Sequence, residues 1–268
     1  MKNIFTLFVC LAWSGWAFAQ TTNKEVMQLI QAGEAAAALD KAEALVKADP
    51  DEPVNYLTRG FAFLEMKQPK RALQDFRKAD TLKLNTAELH YQLGYTMNLT
   101  GDYKNAIIAL DKSLKMEPKQ AMAYYQRGLA YVEFNNDDMA MKDFNAALDY
   151  DSTLADAYLS RAELSYEAEN FKYTIRDCNK AIQHNPKLAD AYYFRAIARG
   201  GVAKDKEAIE DFNKCIELNP NHDEALNFRG SAKYLSGNKK GACADWKKAM
   251  ALGNDEAENN YNSYCVSE

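Results

Sequence analysis

One interval dominates this sequence. Gly60, Gly94, Gly128, Ala162, Ala196 and Gly230 follow one another at steps of 34 residues. The same step carries Ala72, Ala106, Ala140, Ala208 and Ala242, with Thr174 as the exception, and it carries Phe76, Leu110, Phe144, Cys178, Phe212 and Trp246. Ala79, Ser113, Ala147, Ala181, Cys215 and Ala249 form a further register, and Pro50, Pro118, Pro186 and Pro220 are separated by multiples of 34. Chance does not hold four registers in phase over most of a chain, so the sequence is an array of one supersecondary unit. Its 268 residues, which alone suggest one large or two ordinary domains, therefore count units rather than domains.

Within each unit, apolar residues recur at three- and four-residue steps and break once near the middle and once at the end, as in a helical hairpin. In residues 121–154, Ala123, Tyr124, Gly128 and Tyr131 share a face of the first helix, and Asn135, Asn136 and Asp137 supply a polar turn. Ala140, Phe144 and Ala147 form the facing stripe of the second helix. Small residues at 128 and 140 let the backbones approach while Phe144 fills the space beside them. A bulky side chain at Gly128 or Ala140 overpacks that crossing, at about 1–3 kcal/mol. Proline near the end of a unit stops the second helix. Composition agrees, since only 12 Gly and 6 Pro occur, while 47% of residues are hydrophobic and 26% charged.

Small residues at the eighth, twentieth and twenty-seventh positions, an aromatic at the twenty-fourth and a proline near the end resemble the tetratricopeptide repeat, a 34-residue helix-turn-helix hairpin. On that resemblance six units start at Pro53, Ala87, Ala121, Ala155, Ala189 and Asp223 and fill residues 53–253. Residues 20–52 are a degenerate first repeat or cap: Ala38 and Pro50 are in phase, but Val26 and Ala42 stand where a small residue and an aromatic belong. The implied fold is all-α, a right-handed superhelical solenoid whose units bury their apolar faces against their neighbours. Ala257, Tyr261, Tyr264 and Cys265 recur at helical spacing, so residues 254–268 are read as a capping helix and tail. The segment from Ala242 to Cys265 also resembles the end of exported tetratricopeptide proteins from Bacteroidetes-type bacteria.

At the other end, Lys2 precedes an apolar run from Ile4 to Phe18, and Ala17-Phe18-Ala19 forms a small-x-small cleavage signal. This predicts a secretory signal peptide over residues 1–19, too short for a membrane span, and export to the periplasm, the outer membrane or beyond. Val9 before Cys10 lacks the small residue that lipid attachment requires. The compartment permits disulfides. If the capping helix runs antiparallel to the helix ending near Leu252, Cys243 and Cys265 lie opposite each other, and a bridge is expected there; the alternative is two free thiols in packing roles. Cys178 and Cys215 occupy core registers and are expected to pack as apolar residues.

Chemistry-bearing motifs are absent. His90, His184 and His222 do not form a helical metal-ligand pair, and no nucleophile elbow or phosphate-cradling loop occurs, so no metal, cofactor or enzymatic activity is expected. Gly200-Gly201 reads as a loosened turn. A net charge of −5, from 33 basic and 38 acidic residues mixed along the chain, argues against nucleic acid.

The resemblance implies instead a concave groove lined by positions two, five, nine, twelve and thirteen of each first helix. The candidate groove residues are Leu57, Phe61, Glu65, Glu88, Tyr91, Tyr95, Tyr125, Asp156, Tyr166, Asp190, Tyr193 and Tyr234. Tyrosines present apolar faces with a polar tip, as binding hot spots do. Family members that clamp a C-terminal carboxylate use Lys, Asn and Arg, but here the equivalent positions hold Glu88, Asp156, Asp190, Gln92, Gln126 and Phe194. The recurring Arg59, Arg127, Arg161, Arg195 and Arg229 precede the small eighth residue and read as a structural row with packed stems. The sequence thus points to a non-catalytic scaffold of the cell envelope whose groove takes a protein or peptide segment with basic or aromatic side chains. A self-associating envelope component, or a glycan binder, is the alternative. Asp80-Thr81-Leu82 and Asp151-Ser152-Thr153 resemble short O-glycosylation acceptors.

Overall fold

The computed structural model describes residues 21–266; the predicted signal peptide and Cys10 lie outside them. Fifteen helices and no strand occur among the described residues. They are α1 (Thr21–Gln31), α2 (Ala35–Ala48), α3 (Pro53–Glu65), α4 (Pro69–Thr81), α5 (Ala87–Leu99), α6 (Tyr103–Met116) and α7 (Ala121–Glu133). There follow α8 (Asp137–Tyr150), α9 (Ala155–Glu167), α10 (Phe171–His184), α11 (Ala189–Gly201) and α12 (Asp205–Leu218). The last are α13 (Asp223–Leu235), α14 (Lys239–Ala251) and α15 (Asp255–Tyr264). The chain divides into two compact units, one ending at Ala146 and the other beginning at Ala147, within α8.

In the first unit, helices pair as hairpins and each hairpin packs on the next. Val26, Ala38, Ala72, Phe76, Ala106 and Leu89 are fully buried in its core. A Cβ on Gly128 would stand 2.6 Å from the Phe144 ring, and one on Gly60 would collide with Phe76. The small eighth residue is therefore a steric requirement of the twenty-fourth. The degenerate first hairpin, α1 with α2, exchanges the two sizes: Val26 and Ala42 are both fully buried in the same cluster. Local signals start the helices, as when Thr86 Oγ1 accepts from Leu89 N at 3.2 Å ahead of α5, and Pro53 occupies the first turn of α3.

The second unit repeats the scheme. Cys178, Ala181, Phe212, Cys215, Ala242 and Trp246 are buried, and a Cβ on Gly230 would lie 2.6 Å from Trp246 Nε1. Thr174, the exception in its alanine register, is also buried, and its hydroxyl donates to the Asn170 carbonyl at 3.2 Å. Cys243 and Cys265 form a disulfide with Cα atoms 5.8 Å apart, tying α15 to α14, while Cys178 and Cys215 remain free and buried. Ala257, Tyr261 and Cys265 pack against Leu226 and Trp246.

Two features were not read from sequence. Gly200 and Gly201 are the last residues of α11 and not a loosened turn; Gly201 is small because a Cβ there would come within 2.7 Å of Phe171. The left-handed residue of that hairpin is Ala203, and the same position recurs through the chain as Gly33, Lys67, Gly101, Asn135, Glu169 and Gly237, again at steps of 34. Only three of these seven are glycine, so composition hid the register. Among the described residues no helix is long and apolar enough to cross a membrane.

Candidate functional site

The first helix of each hairpin begins at the start of its 34-residue unit, so the candidate groove residues fall at equivalent points of α3, α5 and α7 in the first unit and of α9, α11 and α13 in the second. Across positions two, five, six, nine, twelve and thirteen these six helices carry no Lys, Arg or His. They do carry Glu65, Glu88, Glu133, Asp156, Glu163, Glu167, Asp190 and Glu224.

In the first unit, Leu57, Phe61 and Tyr91 are buried, and Phe61 meets Phe76 edge-on at 5.8 Å. Tyr91 stacks on the half-buried Tyr95 with ring centroids 6.3 Å apart. Tyr125 is half-buried, 6.0 Å from the Phe144 ring. Burial raises the Tyr91 hydroxyl, helped by Glu88, and likewise the Tyr95 hydroxyl, helped by Glu65, so these two carboxyls border the stacked pair. Burial also lifts both carboxyls above the ordinary Glu range, that of Glu88 despite the bond it accepts from Gln92 Nε2 at 2.8 Å. Asn98 Nδ2 donates to the Gln126 carbonyl at 2.7 Å and to its side-chain oxygen at 3.2 Å. The Gln92 and Asn98 side-chain oxygens are buried without a hydrogen-bond partner.

In the second unit Tyr166 lies 5.9 Å from Phe194, and Tyr193 touches Phe194, Phe212, Phe228 and, at 4.7 Å, His222. Tyr193 is thus a packing residue as much as a surface one. Burial raises the Asp156 carboxyl. Asp190 is exposed and 3.4 Å from His222 Nε2, which holds its carboxyl below the usual range. Sequence reasoning passed over Glu163, the one charged residue at its register: burial, with Asp190 and Glu167 nearby, pushes it up to about 7. Tyr234 is drawn away from this set, lying 4.6 Å from Tyr264 and 5.7 Å from Trp246 beneath the closing helix. The neighbouring Asn227 is likewise taken, by Glu256 at 2.9 Å and Asn260 at 3.0 Å.

The arginine row is structural. Arg59, Arg127, Arg161, Arg195 and Arg229 each form a two-pronged pair with an aspartate 16 residues on, respectively Asp75, Asp143, Asp177, Asp211 and Asp245, at 2.6–2.9 Å. Four of these guanidinium groups also lie over the tyrosine one turn back, at 5.4–5.5 Å. No group of three or more His, Cys, Asp or Glu among the described residues could hold a metal ion, and burial pushes the Cys178 thiol up to about 12.

A tetratricopeptide repeat profile matches residues 87–120, 121–154 and 189–222, three of the hairpins described above. These segments are tetratricopeptide repeats. DnaJ homolog subfamily C member 3 of Mus musculus is 33% identical over 93 residues, 35% of this chain. That match spans only 18% of the relative's length. The Cut9–Hcn1 hetero-tetramer of the APC/C superposes with TM-score 0.75 over 97% of this chain and 51% of that one, at 14% identity. YrrB, a tetratricopeptide protein with an unusual peptide-binding site, superposes with TM-score 0.56 over 69% of this chain and 95% of its own, at 18% identity. Both structures share the fold.

Proposed function

We propose that this tetratricopeptide protein is a non-catalytic interaction module of the bacterial cell envelope, which uses the first-helix faces of its hairpins to hold a segment of a partner protein. One observation carries the reading: those faces bear acids and tyrosines and no basic residue, although Lys and Arg number 33 in the chain. Such a face repels an anionic tail and complements a basic or aromatic segment. The fold it shares with YrrB, which has a peptide-binding site, supports a peptide as the ligand class. Export is supported by the leader-like first 19 residues and by the Cys243–Cys265 disulfide, a bond that persists in oxidising compartments. The periplasm is the compartment that suits both.

Tyr91 is buried and the half-buried Tyr193 packs against Phe194, Phe212 and Phe228, so replacing them by Ala damages the fold along with the surface. A charge-reversed variant, Glu65→Lys with Glu133→Lys, alters the face and leaves the core alone. In affinity capture from native envelopes, a partner held by the wild type is expected to be lost by this variant while its helical circular dichroism is unchanged. Equal capture by both proteins would exclude these faces.

A further inference from the structure

Within the first unit, one place is short of donors in a specific way. Gln92 on α5 is 7% exposed, and it spends its amide N–H on Glu88 one turn back, at 2.8 Å. Its carbonyl oxygen is buried and unpartnered, as is that of Asn98 farther along the same helix. A buried acceptor without a partner is unfavourable, and a ligand that supplies the donor relieves it. The Glu88 carboxyl and the Tyr91–Tyr95 stack share the helix of Gln92, Glu65 lies near Tyr95, and among the described residues neither Glu88 nor Glu65 forms an ion pair. Acceptors, negative charge and aromatic faces are together what an ammonium or guanidinium group requires, since such groups donate only.

We infer that the Glu88–Gln92 pair on α5 is a subsite for one Lys or Arg side chain of the bound segment. Glu88 supplies the counter-charge, Gln92 turns its carbonyl oxygen to a donor N–H, and Tyr95 offers its ring to the stem. Asn98 lies six residues along α5, about 9 Å at the helical rise. An extended segment covers that distance in about three residues, so Asn98 takes a backbone N–H of the segment about three residues from the cation. The inference rests on the reading of the first-helix faces as docking surfaces.

The test uses the full chain and a library of randomised heptapeptides displayed on phage, with a photo-crosslinking version of each selected peptide to locate it. The wild type is expected to select peptides with Lys or Arg at one fixed position, crosslinking to α5. Glu88→Gln, which retains an acceptor for Gln92, is expected to weaken those peptides at least tenfold, and Glu88→Lys to select Asp or Glu at the same position. Thermal melts of both variants establish that they fold, and Gln92→Leu provides a second, uncharged probe with the same expected loss. Peptides that crosslink to α5 without a cationic position, or whose cation preference survives Glu88→Gln and Gln92→Leu, overturn the subsite alone. Peptides that crosslink only to the second helices of the hairpins overturn the docking face and the subsite with it.

Discussion

His222 shows how much one side chain outside a helix can hold. Its Nε2 lies 3.4 Å from Asp190 and its Nδ1 3.2 Å from Glu224, so the charged ring faces a carboxylate at each nitrogen. Burial opposes the charged ring, but hydrogen bonds to Asp190 and Cys215 outweigh it and push the imidazole up to about 10. A histidine raised in this way favours the folded state fully below its unfolded value near 6.5, and the advantage declines as pH climbs through the folded value. The melting-temperature gap between the wild type and His222→Gln is therefore expected to be constant from about pH 5 to about pH 6, where Asp190 is ionised, and to close by about pH 10. A gap independent of pH would mean that the ring acts through packing alone. Periodicity reaches such side chains only as exceptions: His222 has no counterpart in the other repeats, and Glu163 breaks an otherwise uncharged register, but the burial around each is something no spacing reports.

Between paired helices, the arginine fork joins position seven to position twenty-three. The aspartates of these pairs are nearly inaccessible, with side-chain exposures of 2–8%. Removing one partner of a buried pair leaves the other under-compensated; Arg127 keeps only its bond to Asp111, so Asp143→Ala is expected to destabilise the protein by about 3 kcal/mol. The remedy is written in the chain itself, because in residues 87–120 the two positions are Leu93 and Ala109, both buried. Urea denaturation of Arg127→Leu with Asp143→Ala is expected to return most of the loss; a double variant as unstable as the single one would show the fork to be indispensable. The arginine row was legible as a row, but its partners were not, since aspartates on amphipathic helices read as solvated faces until the hairpin brings residues 16 apart together.

Over the whole molecule, the hairpin array was legible because one steric rule, small against large across a crossing, is written five times in one phase, with Ala162 and Cys178 as the sixth, smaller pair. The left-handed turn register escaped notice for the opposite reason: its positions hold Lys, Glu, Ala and Asn as well as Gly, and only backbone geometry unites them. Tyr234 was placed on the binding face because a repeat pattern does not say where the array stops and a closing helix takes over the surface. That closure depends on the Cys243–Cys265 bond, which encloses a 22-residue separation and contributes about 3 kcal/mol in a loop-entropy account. Because repeats contact mainly their neighbours, Cys265→Ser is expected to speed hydrogen exchange in α13 to α15 and leave α3 to α6 unchanged. Uniform acceleration would indicate that the two compact units open together.

The repeat without a fork is also the one that carries Glu88, Tyr91 and Gln92. A bidentate ion pair accepts one alignment of its two helices, whereas Leu93 and Ala109 meet through contacts that have no preferred direction. Helix α5 is therefore held to α6 by apolar packing and by the Ser113 hydroxyl, which donates to the Ala87 carbonyl at 2.8 Å, with no ion pair at the fork positions. A cationic side chain docking on α5 as proposed would meet a helix whose alignment is set by packing and not by an ion pair.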